Sequence, residues 1–274
     1  MSDTGNCTVY TSPFTSWKES VPHLLDATGL LDRLATEKKV LIKPNLVEPL
    51  KPPITTPVEL VAALVDYIHT LQPHLEIIIG EGCGSLSNNT LQVFETLGYN
   101  RLADMTGVTL LDLNEAPLVQ MQDSNCNHWP EMHLPGIVFE SFLISVPVLK
   151  AHSLAGVTLT MKNMMGLAPP AHYQQGGSWK KASFHHNIQE AVFDLNRYRT
   201  PDFTLLDATI GMQKAHLWGP TCDPPPNRIA AGYDPVAMDS YGCSLLGIKW
   251  DSVGHLDKAH GILGCGVPLT VHEV

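Results

Sequence analysis

Between residues 39 and 113 the chain alternates short apolar runs with stretches of helical period, and this rhythm restricts the folds open to it. Lys39-Val40-Leu41-Ile42-Lys43 is short and rich in branched residues, the pattern of a strand buried on both faces. A loop with Pro44, Pro49, Pro52 and Pro53 follows, and Thr56-Pro57-Val58-Glu59 then reads as a helix start. Thr56 can cap, Pro57 suits the first helical position and Glu59 closes a capping box. Apolar residues at 60, 61, 64, 65 and 68 keep helical spacing through Leu71. Leu75 to Gly80 and Val108 to Leu113 read as further strands, separated by a helix that Asn89 caps and Gly98 ends. Strand–helix–strand–helix–strand predicts an α/β fold: a mostly parallel sheet with helices on both faces.

The second half keeps the pattern with interruptions. Residues 117–135 are irregular and predict a short antiparallel insertion, and Phe142 to Leu149 reads as a strand. Residues 166–183 form a long polar loop, of the kind that serves as a lid over a site. A helix near 186–198, a strand from Phe203 to Leu206, a proline-rich loop at 220–226 and a short strand at 228–231 follow. Asp234-Pro235 opens another helix, and a last one covers 251–262. The chain reads as one α/β domain over 1–274, with two lobes at about 1–115 and 116–274 as the alternative.

Charge excludes some partners. Lys plus Arg number 17 against 27 Asp plus Glu, a net charge of −10, and no Lys/Arg run offers a patch for nucleic acid. No apolar run approaches the roughly 18–20 residues of a membrane span. The opening Met1-Ser2-Asp3-Thr4-Gly5-Asn6-Cys7 lacks the basic and apolar regions of a secretory leader, so the sequence reads as cytoplasmic. The six cysteines form no C-x-x-C, which leaves no iron–sulfur cluster from a local motif and, in a reducing compartment, predicts free thiols.

Ligands of open α/β sheets bind beyond the carboxyl ends of the strands. Lys43-Pro44-Asn45 and Lys150-Ala151-His152 both stand there and bring two lysines, an Asn and a His to one rim. The competing account is that Lys43 and Lys150 only extend their ammonium groups into water. Lys162 and Asn163 lie inside an apolar stretch, where a lysine either surfaces its head or becomes a partly desolvated amine. In Gly80-Glu81-Gly82-Cys83-Gly84-Ser85, backbone amides at Gly82, Cys83 and Gly84 could cradle an anion; a ligand-free turn explains the motif equally. Cys83 reads as a packed small residue before a reactive thiolate. Of 13 histidines, His152 stands out by position, whereas His185 and His186 diverge by about 100° on a helix. Asp207 ends a predicted strand, Asp234 is explained as a cap, and Asp239 sits in a small, apolar helix where its charge needs a lysine or a metal.

Taken together, Lys43-Pro44-Asn45, Thr55-Thr56-Pro57, Lys150-x-His152, Val157-Thr158 and Lys162-Asn163-x-x-Gly166 resemble the family called domain of unknown function 362. Asp207, Gly219-Pro220 and Gly232-x-Asp234-Pro235-Val236-Ala237-x-Asp239 continue the resemblance, which runs from about residue 38 to 264. Many members resemble redox proteins in carrying a ferredoxin-type domain; this chain has none, so the resemblance implies a separate ferredoxin-like electron donor or no need of one. The order of parts is also distantly similar to the nickel-pincer lactate racemases. That likeness implies Lys162 or Lys150 as the anchor of a cofactor and His152 as a metal ligand or proton carrier. The resulting expectation is an enzyme, an oxidoreductase or isomerase, acting on a small anionic substrate or through a phosphate-bearing cofactor, with a transition metal as a further candidate. Lys150, His152 and Lys162 are its catalytic candidates, and Lys43, Asn45, Gly82, Cys83, Gly84, Asn163, Asp207 and Asp239 its binding candidates. The alternative is a non-catalytic metal or cofactor carrier that uses the His, Met and Cys side chains.

Overall fold

A computed structural model describes residues 7–274. The leader expectation rests on residues 1–6 and lies outside them. In chain order the elements begin with β1 (Thr8–Pro13), α1 (Trp17–Thr28), α2 (Leu30–Leu34), β2 (Lys39–Pro44), α3 (Val58–Leu71) and β3 (Glu76–Glu81). Next come α4 (Thr90–Thr96), α5 (Tyr99–Thr106), β4 (Thr109–Asp112) and a hairpin of β5 (Leu118–Gln122) and β6 (Glu131–Pro135). The chain continues through β7 (Phe142–Val146), β8 (Val148–His152), β9 (Gly156–Thr158), α6 (Thr160–Asn163), α7 (Pro170–Tyr173) and α8 (Ile188–Tyr198). It closes with β10 (Phe203–Met212), β11 (Arg228–Gly232), α9 (Pro235–Leu245), α10 (Gly254–Ala259) and β12 (Thr270–Glu273).

The main sheet runs β12-β1-β11-β10-β7-β2-β3-β4, with β8 beside β10 and β9 beside β8. Pairing is parallel from β10 through β7, β2 and β3 to β4, and antiparallel where β11 meets β10 and β1 and where β9 meets β8. The mostly parallel α/β sheet with antiparallel insertions is therefore the fold, and residues 117–135 supply one insertion as the β5–β6 hairpin. Alternation explains why β2 and β3 are apolar on both faces. Leu41 and Ile78 feed one core with α6, α8 and α9, whereas Val40, Ile42, Ile77 and Ile79 feed the other with α1, α3 and α5.

Several local expectations are corrected. Thr56 does not cap α3: its hydroxyl donates to the Val146 carbonyl at 2.7 Å and accepts from Asn45 N–H at 2.8 Å, tying the loop after β2 to the end of β7. Asn89 caps α4 as expected, in a capping box with Gln92. The strand expected at 142–149 is two strands broken at Pro147, and the strand expected at 203–206 runs on to Met212. Two of the six cysteines are not free thiols. Parallel pairing of β1 with β12 draws the chain ends together and sets Cys7 and Cys265 in a disulfide with a Cα–Cα distance of 5.3 Å. Cys83, Cys126, Cys222 and Cys243 are free and buried. No helix among the described residues is long and apolar enough to cross a membrane.

Candidate active site

The carboxyl ends of β2, β3 and β8 converge on a cavity of about 410 Å³, a volume in the range of small-molecule sites. Its walls carry Lys43, Lys150, Lys162 and Lys181 against only Glu48 and Glu81, together with His152, His185 and His216.

The floor is a closed hydrogen-bond chain. Lys43 Nζ, buried at the end of β2, has three acceptors: Glu81 Oε1 at 2.8 Å, the Pro44 carbonyl at 3.1 Å and Asn163 Oδ1 at 3.2 Å. Three acceptors match the three protons of an ammonium. Glu81, also buried, accepts in addition from Leu46 N–H at 2.9 Å and Gly82 N–H at 2.8 Å. The pair is thus ionised and fully bonded; burial pushes the Lys43 pKa down and the Glu81 carboxylate opposes that. Asn163 passes the chain to Asn45 Nδ2 at 3.1 Å, and Asn45 Oδ1 accepts from Lys150 Nζ at 2.7 Å. Lys150 has one further acceptor, the Ile54 carbonyl at 2.7 Å. Burial, reinforced by the charge of Lys162, drives its pKa well below that of a free lysine. Two acceptors suit the two protons of the neutral amine.

Two backbones meet at this floor. A Cβ on Gly82 would strike the Gly166 carbonyl and Asn114 Oδ1, and one on Gly166 would land on Glu81 Oε1 and Lys43 Nζ. Gly166→Ala is accordingly expected to lower stability by about 1–3 kcal/mol, since the struck atoms are buried and cannot withdraw. A thermal-unfolding midpoint equal to that of the parent protein would contradict this.

Lys162 differs from the other lysines. It is half-buried in α6, lines the cavity and has no hydrogen-bond acceptor among the described residues, and burial lowers its pKa to about 8. Its helix is held from below by Asp239, which accepts from Thr160 N–H at 2.7 Å and Met161 N–H at 2.9 Å. Asp239 therefore neither pairs with a lysine nor faces the cavity; burial raises its pKa to about 7, and the two amides oppose that.

His152 has a fixed tautomer. Its Nδ1 accepts from Leu154 N–H and Ala155 N–H, both at 3.1 Å, so the ring proton resides on Nε2. Burial and then the charge of Lys162 depress its pKa far below the usual range, which keeps the ring neutral. Its face stacks on His216 at 4.0 Å between centroids. Burial lowers the His216 pKa to about 4.

A family model described as Domain of unknown function (DUF362) matches residues 40–244. The chain belongs to this family. No curated protein matches it. Among solved structures, the lactate racemase apoprotein from Thermoanaerobacterium thermosaccharolyticum is similar, with a TM-score of 0.53 and 13% identity. The match covers 89% of this chain and 58% of that one, so the DUF362 chain spans less than two thirds of the racemase, and the likeness is one of fold.

Within this DUF362 chain, Lys43, Asn45, Gly82, Gly84, Lys150, His152, Lys162 and Asn163 all line the cavity. Cys83, Asp207 and Asp239 do not: Cys83 is buried behind the turn, and Asp207 accepts from Thr209 N–H at 2.9 Å and its hydroxyl at 2.7 Å. The glycine-rich turn is no anion cradle. Its amides are already bonded, Gly82 to Glu81, Cys83 to Thr90 and Gly84 to the Val47 carbonyl. The metal expectation for His152 is also corrected, because Nδ1 is occupied by amides and Nε2 holds the proton. No group of three or more His, Cys, Asp or Glu side chains among the described residues could hold a metal ion. A phosphate-bearing group suits the cavity better, since its lining carries four lysines against two carboxylates and Lys162 has no hydrogen-bond acceptor among the described residues.

Sequence reasoning missed Glu81, Thr158, Lys181, His185 and His216. Lys181 Nζ bonds Asn114 Oδ1 at 2.8 Å and the Ala168 carbonyl, and burial lowers its pKa to about 7. Glu81 ends the strand that leads into the glycine-rich turn, and a strand-end carboxylate beside a strand-end lysine is a usable signal. His216 had none: it reaches the cavity only because the loop after β10 folds over β8.

Proposed function

We propose that this protein is an enzyme that isomerises a small carbonyl-bearing anion by proton transfer. The observation carrying this reading is Lys162, an amine without a protein partner, in one cavity with an imidazole fixed as a neutral Nε2–H donor. With its pKa near 8, Lys162 is about half free amine at pH 8 and can take a proton from carbon next to a carbonyl. The electron pair moves onto the carbonyl oxygen, where His152 Nε2–H donates to the enolate, and Lys162 returns the proton to the same carbon once the planar enolate has turned its other face. A neutral imidazole suits this electrophilic role because it donates without adding a charge that the substrate must displace. At neutral pH the excess of lysines over carboxylates in the cavity wall supports binding of the anionic group. A phosphate-bearing organic cofactor would be held by the same donors and would supply an electron sink that lysine and imidazole lack. The racemase of similar fold is named for an isomerisation of a small hydroxy acid, which agrees with this class of reaction.

The test is exchange of carbon-bound protons in D2O, followed by NMR across a panel of 2-oxo acids, 2-hydroxy acids and phosphorylated ketones. Enzyme-dependent loss of one such proton signal is expected, and loss of none across the panel would refute the reading. The pH profile separates lysine from histidine as the base. The rate constant kcat/KM should rise with pH through about 8, where free Lys162 loses its proton. In kcat the same limb should lie higher, because a bound anion favours the ammonium. A limb near 6.5, the ordinary histidine value, would assign the base elsewhere.

A further inference from the structure

The cavity has a second region that the proton-transfer reading leaves unused. At its mouth, Leu154, Trp179 and Trp218 are 58%, 50% and 80% exposed, and Leu217 lines the wall beside them. They come from three separate segments: the turn between β8 and β9, the stretch following α7, and the loop after β10. Scattered exposed apolar residues are ordinary, but three that converge on one opening of a lysine-lined cavity form a patch with a direction. The Trp218 loop is also tied to the floor. His216, two residues earlier, stacks on His152 at 4.0 Å, and the turn closes so tightly that a Cβ on Gly219 would sit 2.8 Å from Ala215 N.

We infer that the cavity takes an amphiphilic anion, a charged head carrying an aromatic or similarly large apolar body, and that Trp179 and Trp218 set this specificity by covering the body. The inference rests on the anion-site reading above. The head lies deeper, where lysines outnumber the cavity's carboxylates, while the body lies against indole rings that lose solvent when it binds. Volume points the same way, because about 410 Å³ is far more than a three-carbon acid fills. Each buried methylene is worth about 0.8 kcal/mol, or roughly fourfold in affinity, so a phenyl-sized body should count for far more than tenfold.

The experiment is calorimetric titration of the full chain with pyruvate, phenylpyruvate, phenyl phosphate and the uncharged phenylacetone. At least one of the two aromatic anions is expected to bind ten or more times as tightly as both pyruvate and phenylacetone, and the better of the two identifies the head as carboxylate or phosphate. Trp179→Ala with Trp218→Ala should weaken that anion at least tenfold and leave pyruvate unchanged, and Trp179→Phe with Trp218→Phe should restore most of the loss. If neither aromatic anion binds more tightly than pyruvate, or the alanine pair has no effect, the inference is overturned and the anion site stands. If none of the three anions binds, the anion-site reading fails as well.

Discussion

Lys43→Met should unfold far more readily than the parent protein, by about 3–5 kcal/mol, because it leaves the Glu81 carboxylate buried without its counter-ion. Methionine reproduces the length of the lysine stem, so little of this loss can be assigned to a cavity. In a chain of 274 residues the change corresponds to a fall in Tm of roughly 10 °C. The removal also strands Asn163 Oδ1 and the Pro44 carbonyl, which accept from the same ammonium. The paired variant Lys43→Met with Glu81→Gln provides the control. It removes the orphan charge while the glutamine oxygen can still accept a backbone amide, and it should recover part of the loss. The measurement is denaturant unfolding of all three variants. A single variant within 1 kcal/mol of the parent, or a pair less stable than Lys43→Met alone, would show that the ion pair is not what holds the β2–β3 rim together.

That rim also marks where the sequence stops being legible. The alternating apolar runs of β2 and β3 express burial on two faces, so the sheet, its parallel order and the lysines at its carboxyl edge could be read directly. Side-chain partners could not. Thr56 and Asp239 obey local grammar, a cap and a buried charge seeking a cation, yet each is spent on backbone groups distant in sequence: Thr56 on Asn45 and Val146, Asp239 on Thr160 and Met161. Glycine-rich turns mislead for a related reason. Gly82 and Gly166 are required by the close approach of two chain segments, not by a ligand, and only the folded structure shows the second segment. The terminal strands β1 and β12 lack long apolar runs and find their place through pairing with β11 and each other, so the Cys7–Cys265 bridge was equally invisible.

Lys162→Met should separate function from stability in the opposite sense to Lys43→Met. If Lys162 is the proton acceptor, its loss should reduce turnover by about 10²–10⁴-fold, the usual contribution of a positioned base. The fold should not suffer, because Lys162 has no hydrogen-bond acceptor to abandon among the described residues, and the methionine stem keeps the packing of α6. Linkage gives a second readout. The folded-state pKa of about 8 lies below the 10.5 of an unperturbed lysine, so between these values the unfolded chain binds more protons than the native one. The parent protein therefore carries a penalty below pH 8 that fades as pH rises toward 10.5, and the Lys162→Met protein lacks it. Subtracting the two unfolding curves removes the similar behaviour of Lys181 and should leave a difference that favours the variant at pH 7 and shrinks steadily to pH 10.5. Lys162→Arg tests charge against basicity. Its guanidinium keeps the positive field but cannot accept a proton at neutral pH, so it should bind anions and remain inactive. Full activity in the arginine variant would remove Lys162 from the chemical step. A loss of stability in Lys162→Met comparable to that of Lys43→Met would make it a framework residue like the other lysines of the floor.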